Sequence, residues 1–295
     1  MWLVNEMITT WIYSAVAMLA FAGNSVLCRW ALADTSIDPA SFTVIRLISG
    51  SVFLVILVYV IKPYLQSSPS DMASTTSTVK LRGSWSGAIA LFTYAACFSF
   101  AYISLSAATG ALLLFGSVQI TMIGFSLWRG ERLNSWQITG VCSAIIGLGI
   151  MFLPSATTPG FLAGGLMSCA GVAWGVYSIL GKQAGNPTLV TTGNFIRASI
   201  LAIVLGLFSL PYVVLDNTGI ILAIVSGALA SGAGYAIWYA VLPRITSTQA
   251  ATMQLSVPVI ASFGGLLWLN EAIALSFIVA SFAILGGIAL VIKRA

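Results

Sequence analysis

Long apolar runs separated by short polar breaks constrain this chain more than any other feature. A helix needs about 20 apolar residues to cross a bilayer. Such runs recur near residues 8–29, 39–61, 85–105, 109–128, 135–153, 161–181, 189–210, 219–241, 248–268 and 273–292, each bounded by charge, Pro or a polar cluster. Only twelve basic and seven acidic side chains serve 295 residues, of which 59% are hydrophobic. Soluble domains carry about 25% charged residues, so this set cannot cover a globule in water. Disorder is excluded as well, because it needs low hydrophobicity. The expected fold is an all-α polytopic membrane protein with ten transmembrane helices. Their loops leave no room for a soluble catalytic domain. A β-barrel is excluded by runs such as Ser51–Ile61, apolar on every side where a barrel strand alternates.

The basic residues set the expected orientation. With the N-terminus inside, cytoplasmic loops carry Lys62, Lys80, Arg82, Arg129, Arg132, Lys182, Arg244, Lys293 and Arg294, and Arg29 is left outside with Asp34, Asp38, Asp216 and Glu271. That is a strong positive-inside bias, and it predicts both termini in the cytoplasm of a bacterial-type inner membrane. The net charge of +5 is no nucleic-acid signature, since the basic residues sit at loops. Ala20-Phe21-Ala22 has the form of a signal-peptidase site. The segment before it holds Glu6 and no Lys or Arg, so the first helix is expected to stay uncleaved. The loop 62–83 is rich in Ser and Thr and reads as a flexible cytoplasmic linker.

The two halves match. GFSLWRGE at 124–131 aligns with GGLLWLNE at 264–271, pairing Trp128 with Trp268 and Glu131 with Glu271. Phe21-Ala22 with Arg29 aligns with Trp174-Gly175 with Lys182, and Ile45-Arg46 with Ile196-Arg197. The same registers pair Asn24 with Tyr177 and Val118 with Pro258. Five spans per half is an odd number, so the second half enters the membrane in the opposite sense. The expectation is two inverted five-helix repeats, 1–153 and 160–292, the build of many secondary transporters.

The order and doubling of these motifs resemble the EamA-type branch of the drug/metabolite transporter superfamily. The resemblance rests on Trp174-Gly175 with Lys182, Arg46 and Arg197, Gly130-Glu131-Arg132-Leu133, Trp268-Leu269-Asn270-Glu271, and the polar starts at Ser106 with Gly110-Ala111 and Ser247 with Ala250-Ala251. It covers nearly the whole chain. Two positions depart from the family pattern: Val118 stands where Pro is usual in the first half, and Phe21-Ala22 stands for Trp-Gly. The resemblance implies a carrier that moves small metabolites, commonly outward, without ATP.

The residues themselves exclude several chemistries. There is no phosphate-binding loop of the G-x-x-x-x-G-K-[ST] type, no Gly-x-Ser-x-Gly elbow and no His, so neither ATP drive nor a hydrolase mechanism has support. No metal or other cofactor is expected. Cys28, Cys97, Cys142 and Cys169 lack metal spacing and read as small packing residues. No Asp or Glu falls at mid-span, so no buried carboxylate offers itself for proton coupling.

Intramembrane cations are the main positive signal. Arg46 and Arg197 lie inside apolar runs, where a charge costs about 2.5–3.5 kcal/mol on insertion scales. They read as anion-recognising forks, or as side chains that snorkel to the interface or close the preceding loop. The remaining pathway candidates are Asn24, Tyr94, Tyr102, Gln119, Trp174, Tyr177, Asn194, Tyr235, Trp238, Tyr239 and Gln254. Each needs a polar partner inside a span or a polar cavity. Trp11, Trp85, Trp128, Trp136 and Trp268 read as interfacial anchors. Gly227, Ser231, Gly232 and Gly234 permit close helix approach, and Pro258 must distort its helix, which makes it the gating candidate. The reading is a secondary carrier of small metabolites such as amino acids, working by alternating access in the lipid bilayer as a monomer or homodimer. A membrane sensor and a lipid flippase are the alternatives.

Overall fold

The computed structural model describes residues 2–61, 82–105, 107–152, 160–182, 185–269 and 275–293. Most of the loop 62–83, together with Ser106 and Glu271, lies outside the described residues. The described residues are helical and contain no strand. The helices fall on the apolar runs: α1 Trp2–Asp34, α2 Pro39–Ile56 with a π-helical turn Leu57–Ile61, α3 Trp85–Tyr102, α4 Ala107–Trp128 and α5 Ser135–Phe152. They continue with α6 Phe161–Gly181, α7 Pro187–Phe208, α8 Asn217–Arg244, α9 Ser247–Trp268 and α10 Leu275–Lys293. Seven of them (α1, α2, α3, α6, α7, α8 and α9) are long and apolar enough to cross a membrane, and shorter apolar helices run over Leu113–Trp128 and Phe282–Val291. The chain is a multi-pass membrane protein by its helices.

Local chemistry sets the helix starts. Asp38 Oδ1 accepts from Ser41 N at 2.9 Å with Pro39 at the first helical position, and Asn186 Oδ1 accepts from Leu189 N at 3.1 Å with Pro187 placed likewise. Ser84 and Asp216 cap α3 and α8 through Gly87 N and Gly219 N. Thr246 and Gln249 form a reciprocal capping box at the start of α9. The turn after α4 passes through Gly130 at φ 86°, in the left-handed region that glycine enters without a Cβ clash. Asp38 also ties distant parts of the chain: its second oxygen accepts from Val214 N at 3.0 Å, just before α8.

Two helices are interrupted, for different reasons. In α9, Pro258 has no N–H to give the carbonyl of Gln254, and the helix breaks at Leu255, between Ser247–Gln254 and Ser256–Leu269. In α8, residues Ser226–Ala233 form a π-helical segment between Asn217–Val225 and Gly234–Val241. Gly227 sits there directly against the carbonyl of Arg46, so α2 and α8 approach backbone to backbone.

The packing has a regular scheme. α3 packs on α6 and α1 on α8; α4 on α6 and α1 on α9; α3 on α7 and α2 on α8. The pairs α2–α7, α4–α9 and α5–α10 complete it. Exchanging each of α1–α5 with the helix five places later leaves this scheme unchanged. α5 and α10 pack chiefly on each other, and reach the rest through α4 and α9. Outward faces are apolar, with Phe208 81% and Phe161 99% exposed, as a lipid-facing surface requires. Cys28 is buried as a packing residue should be; Cys142 and Cys169 instead face outward.

The α5–α10 seam is a test of this packing. A Cβ at Gly140 would lie 2.6 Å from the Gly287 carbonyl oxygen. Gly140→Leu should therefore cost about 1–3 kcal/mol through overpacking. The expected result is a lower Tm for the detergent-purified variant; an unchanged Tm would contradict the seam.

Candidate functional site

The centre of the helix assembly is built from aromatic rings. Phe21 of α1, Tyr94 of α3, Trp174 of α6 and Tyr235 of α8 converge there. Trp174 is their hub, with ring centroids 4.6 Å from Tyr235, 4.9 Å from Tyr94 and 5.1 Å from Phe21. Together with Ser25, Leu114 and Phe115 they line a tight gap of about 10 Å³, room for a single water. Ligand sites pair such an apolar, aromatic lining with a few polar groups for orientation, and here the lining is closed down on itself.

One wall backs onto a hydrogen-bonded cluster. Arg46 of α2 is 1% exposed. Its Nη2 donates to the Tyr235 hydroxyl at 2.8 Å and to the Tyr94 hydroxyl at 3.2 Å, and its Nε donates to Ser231 Oγ at 3.1 Å. The guanidinium carbon lies 5.2 Å from the Tyr94 ring centre and 5.6 Å from that of Phe98, within cation–π range. Asn24 of α1 closes the cluster. Its Nδ2 donates to the Tyr94 hydroxyl at 3.2 Å, and its Oδ1 accepts from Ser226 Oγ at 2.6 Å and Ser231 Oγ at 3.4 Å. The π-helical turn brings Ser226 and Ser231 to the same amide. Among the described residues the guanidinium meets hydroxyls and rings, and its Nη1 is buried without a partner.

A second polar set faces Trp174 from α9. Gln254 Oε1 accepts from Trp174 Nε1, while its Nε2 donates to the Ala250 carbonyl at 3.1 Å. Gln119 of α4 donates to the Ala251 carbonyl at 2.6 Å, and its Oε1 is buried without a partner. Behind Trp174, Tyr177 packs on Tyr239 at 4.6 Å. Tyr239 donates to the Tyr177 carbonyl at 2.8 Å, and the Tyr177 hydroxyl is also buried and unpartnered. Trp238 donates to Ser178 Oγ at 3.1 Å.

Of the expected residues, Tyr94, Trp174 and Tyr235 line the cavity. Asn24 and Arg46 bond to Tyr94 and Gln254 to Trp174, while Tyr177 and Trp238 pack on the lining rings, Tyr239 packs on Tyr177, and Gln119 bonds to α9. Tyr102 lies at the end of α3, edge-on to Phe98 at 4.7 Å. Asn194 and Arg197 do other work. Asn194 Oδ1 accepts from Ser84 N at 2.9 Å, beside the start of α3. Arg197 Nη1 donates to the carbonyls of Gly193 at 2.8 Å and Arg82 at 3.3 Å, closing the loop that precedes α3. Pro258 marks the break in α9, one turn from Gln254. Sequence reasoning missed Phe21, Leu114, Phe115 and Ser226 as site residues. Phe21 was within reach, because the repeat register pairs it with Trp174.

A separate cleft of about 210 Å³ opens at the ends of α4, α6 and α9, among Arg129, Glu131 and Lys182. Ser126 Oγ donates to Glu131 there, and Lys182 Nζ donates to Ser247 Oγ at 3.1 Å. Burial lowers the Lys182 ammonium from its ordinary value, and the Glu131 carboxylate nearby works in the opposite direction.

Comparison with known proteins agrees with this architecture. The EamA-like transporter family profile matches residues 9–153 and again 162–293. Uncharacterized protein PA1977 of Pseudomonas aeruginosa is 47% identical over 283 residues, which is 96% of this chain and 94% of that protein. Uncharacterized transporter YoaV of Bacillus subtilis is 24% identical over 264 residues, covering 85% of this chain and 86% of that one. A crystal structure of a protein with 16% identity superposes with a TM-score of 0.74, over 96% of this chain and 99% of that chain, and so shares the fold.

The cluster makes a stability prediction. Asn24→Ala removes the amide that accepts from Ser226 and Ser231, leaving buried hydroxyls unsatisfied at about 1–3 kcal/mol. Thermal unfolding in detergent should show a lower Tm, and an unaltered Tm would mean that water or another group replaces the amide.

Proposed function

The chain belongs to the EamA-like transporter family, and from that premise we propose that it is a secondary carrier of small amphipathic metabolites, amino acids among them. Ten transmembrane helices form two inverted five-helix repeats, and the solute occupies the aromatic cavity between them. The single observation that carries this reading is the aromatic site where α1, α3, α6 and α8 converge, a tight gap that widens for the solute. It is ringed by Phe21, Tyr94, Trp174 and Tyr235, with polar groups confined to a few positions at its edge.

Several findings support the build. The family profile matches twice, once in each half. The packing scheme is unchanged when helices five places apart are exchanged, as a two-fold relation between repeats requires. A carrier of this kind opens to one side when the halves adopt one pair of conformations, and to the other when they exchange them. The broken helices α8 and α9 supply the bending points: the π-helical turn at Ser226–Ala233 and the interruption before Pro258. The positive-inside pattern supports both termini on the cytoplasmic side of a bacterial-type inner membrane, and export is the direction that the family resemblance favours.

Proteoliposomes holding the purified chain test the reading. Counterflow of at least one member of an amino-acid and aromatic-metabolite panel is expected, without ATP. Trp174→Ala should lower that flux by about tenfold or more, since it empties the wall of the cavity and frees Gln254. A chain that moves no panel member, while remaining folded and monodisperse, would favour a sensor. Reporter fusions at either end check orientation: activity of a periplasm-dependent reporter at the C-terminus would overturn the topology.

A further inference from the structure

We infer that the solute carried in the aromatic cavity bears a carboxylate, and that the Arg46–Tyr94–Tyr235 group receives it. This rests on the carrier reading above and specifies the substrate class of the same site. Charge is the first argument. Arg46 is fully enclosed, and no carboxylate side chain among the described residues meets it. A buried cation is expensive unless something of opposite charge shares its surroundings. A passing anion meets that need in a way that a neutral solute does not.

Hydrogen-bond accounting is the second argument. Every polar group in the cluster donates, and the Asn24 carbonyl oxygen is the sole acceptor there that is not also a donor. That oxygen is already taken by Ser226 and Ser231. The Tyr94 oxygen receives Asn24 Nδ2, Arg46 Nη2 and the Tyr235 hydroxyl. Arg46 Nη1 has no acceptor at all. A surplus of donors behind a cavity wall is completed, once that wall opens, by an acceptor-only group, and an ionised carboxylate is that group.

Position is the third. Tyr94 and Tyr235 form part of the cavity wall and at the same time hold Nη2. A solute that widens the cavity meets the two tyrosine rings first, with their hydroxyls and the guanidinium directly behind them. Its ring lies against Phe21 and Trp174, and its carboxylate takes up the surplus donors. Arg197 is the contrast: its guanidinium is spent on the Gly193 and Arg82 carbonyls, and it takes no part.

Matched acid and amide probes test this. The binding of phenylacetate and of phenylacetamide to the detergent-purified chain is followed by tryptophan fluorescence, and their flux in proteoliposomes is measured. Wild type should prefer the acid by about tenfold or more. Arg46→Gln should bring the two within about threefold. Arg46→Lys should keep part of the preference, and Arg197→Gln should keep all of it. Tyr235→Phe, which retains the ring, serves where Arg46→Gln fails to fold; it should weaken acid binding and leave the amide unchanged. Equal binding of acid and amide by wild type, or an acid preference that survives Arg46→Gln, overturns the inference. So does failure of both probes to bind. Excess chloride or sulfate that leaves amide flux intact while abolishing acid preference would assign the site to an inorganic ion, which also overturns it. Equal flux of acid and amide would sink the carboxylate and leave the carrier standing, whereas no flux across the whole metabolite panel sinks the carrier itself.

Discussion

A guanidinium enclosed among apolar helices must be satisfied by whatever side chains can reach it, and this requirement organises the centre of the protein. Arg46 draws Ser231 and Tyr235 from α8 and Tyr94 from α3, while Asn24 brings α1 to the same group. For α8 to come close enough, residue 227 must be Gly, because a Cβ there would run into the Arg46 carbonyl. For Ser226 and Ser231 to meet one amide, the helix adopts a π-helical segment at that point. π-bulges are frequent at functional sites. Here the distortion follows from the need to place two hydroxyls on a single neighbour.

The membrane architecture was legible because it depends on composition along the chain, which sequence states directly. Apolar runs and the polar breaks between them place helices with little reference to tertiary contacts. Caps such as Asp38 with Pro39, Asn186 with Pro187, and Thr246 with Gln249 are equally local. The site was legible only in part. Arg46, Tyr94, Asn24, Trp174 and Gln254 stood out because polar or bulky groups inside apolar runs need partners. Which of them meet was not readable, since the contacts of the cluster join residues 48 to 207 positions apart in sequence. The rotation of each helix about its axis decides those contacts, and near-uniform apolarity gives no hydrophobic face from which to read it. Phe21 and Leu114 carried no polar signal at all.

Arg46 and Arg197 show where pattern reasoning stops. They occupy matching positions in the two halves, and the same argument applied to both. The difference lies in what surrounds them. Arg197 is within reach of backbone carbonyls at the loop before α3, so it is satisfied without a cavity. Arg46 faces hydroxyls and rings, with a nitrogen left over. A loop that neither arginine's own neighbourhood in sequence announces makes the distinction.

The same divergence bears on how such a carrier would move. A repeat in which both halves were alike would distort equally on each side. Here α4 runs unbroken through Val118, whereas α9 breaks before Pro258, and α3 is regular where α8 carries the π-helical segment. The first half holds the cation on the continuous helical stretch Pro39–Ile56, with its π-helical turn only at the end of α2, and the polar amide on α1; the second half contributes both helices interrupted in mid-course. On the carrier reading, the deformable elements and the charged group therefore belong to different repeats. Tyr235 and Ser231 link them, because they hang from α8 and hold Arg46 directly. Any bending of α8 at its π-helical segment changes the hydroxyls offered to the guanidinium. On the same reading, that would couple the shape of the pathway to the occupancy of its polar end, without a mid-span carboxylate.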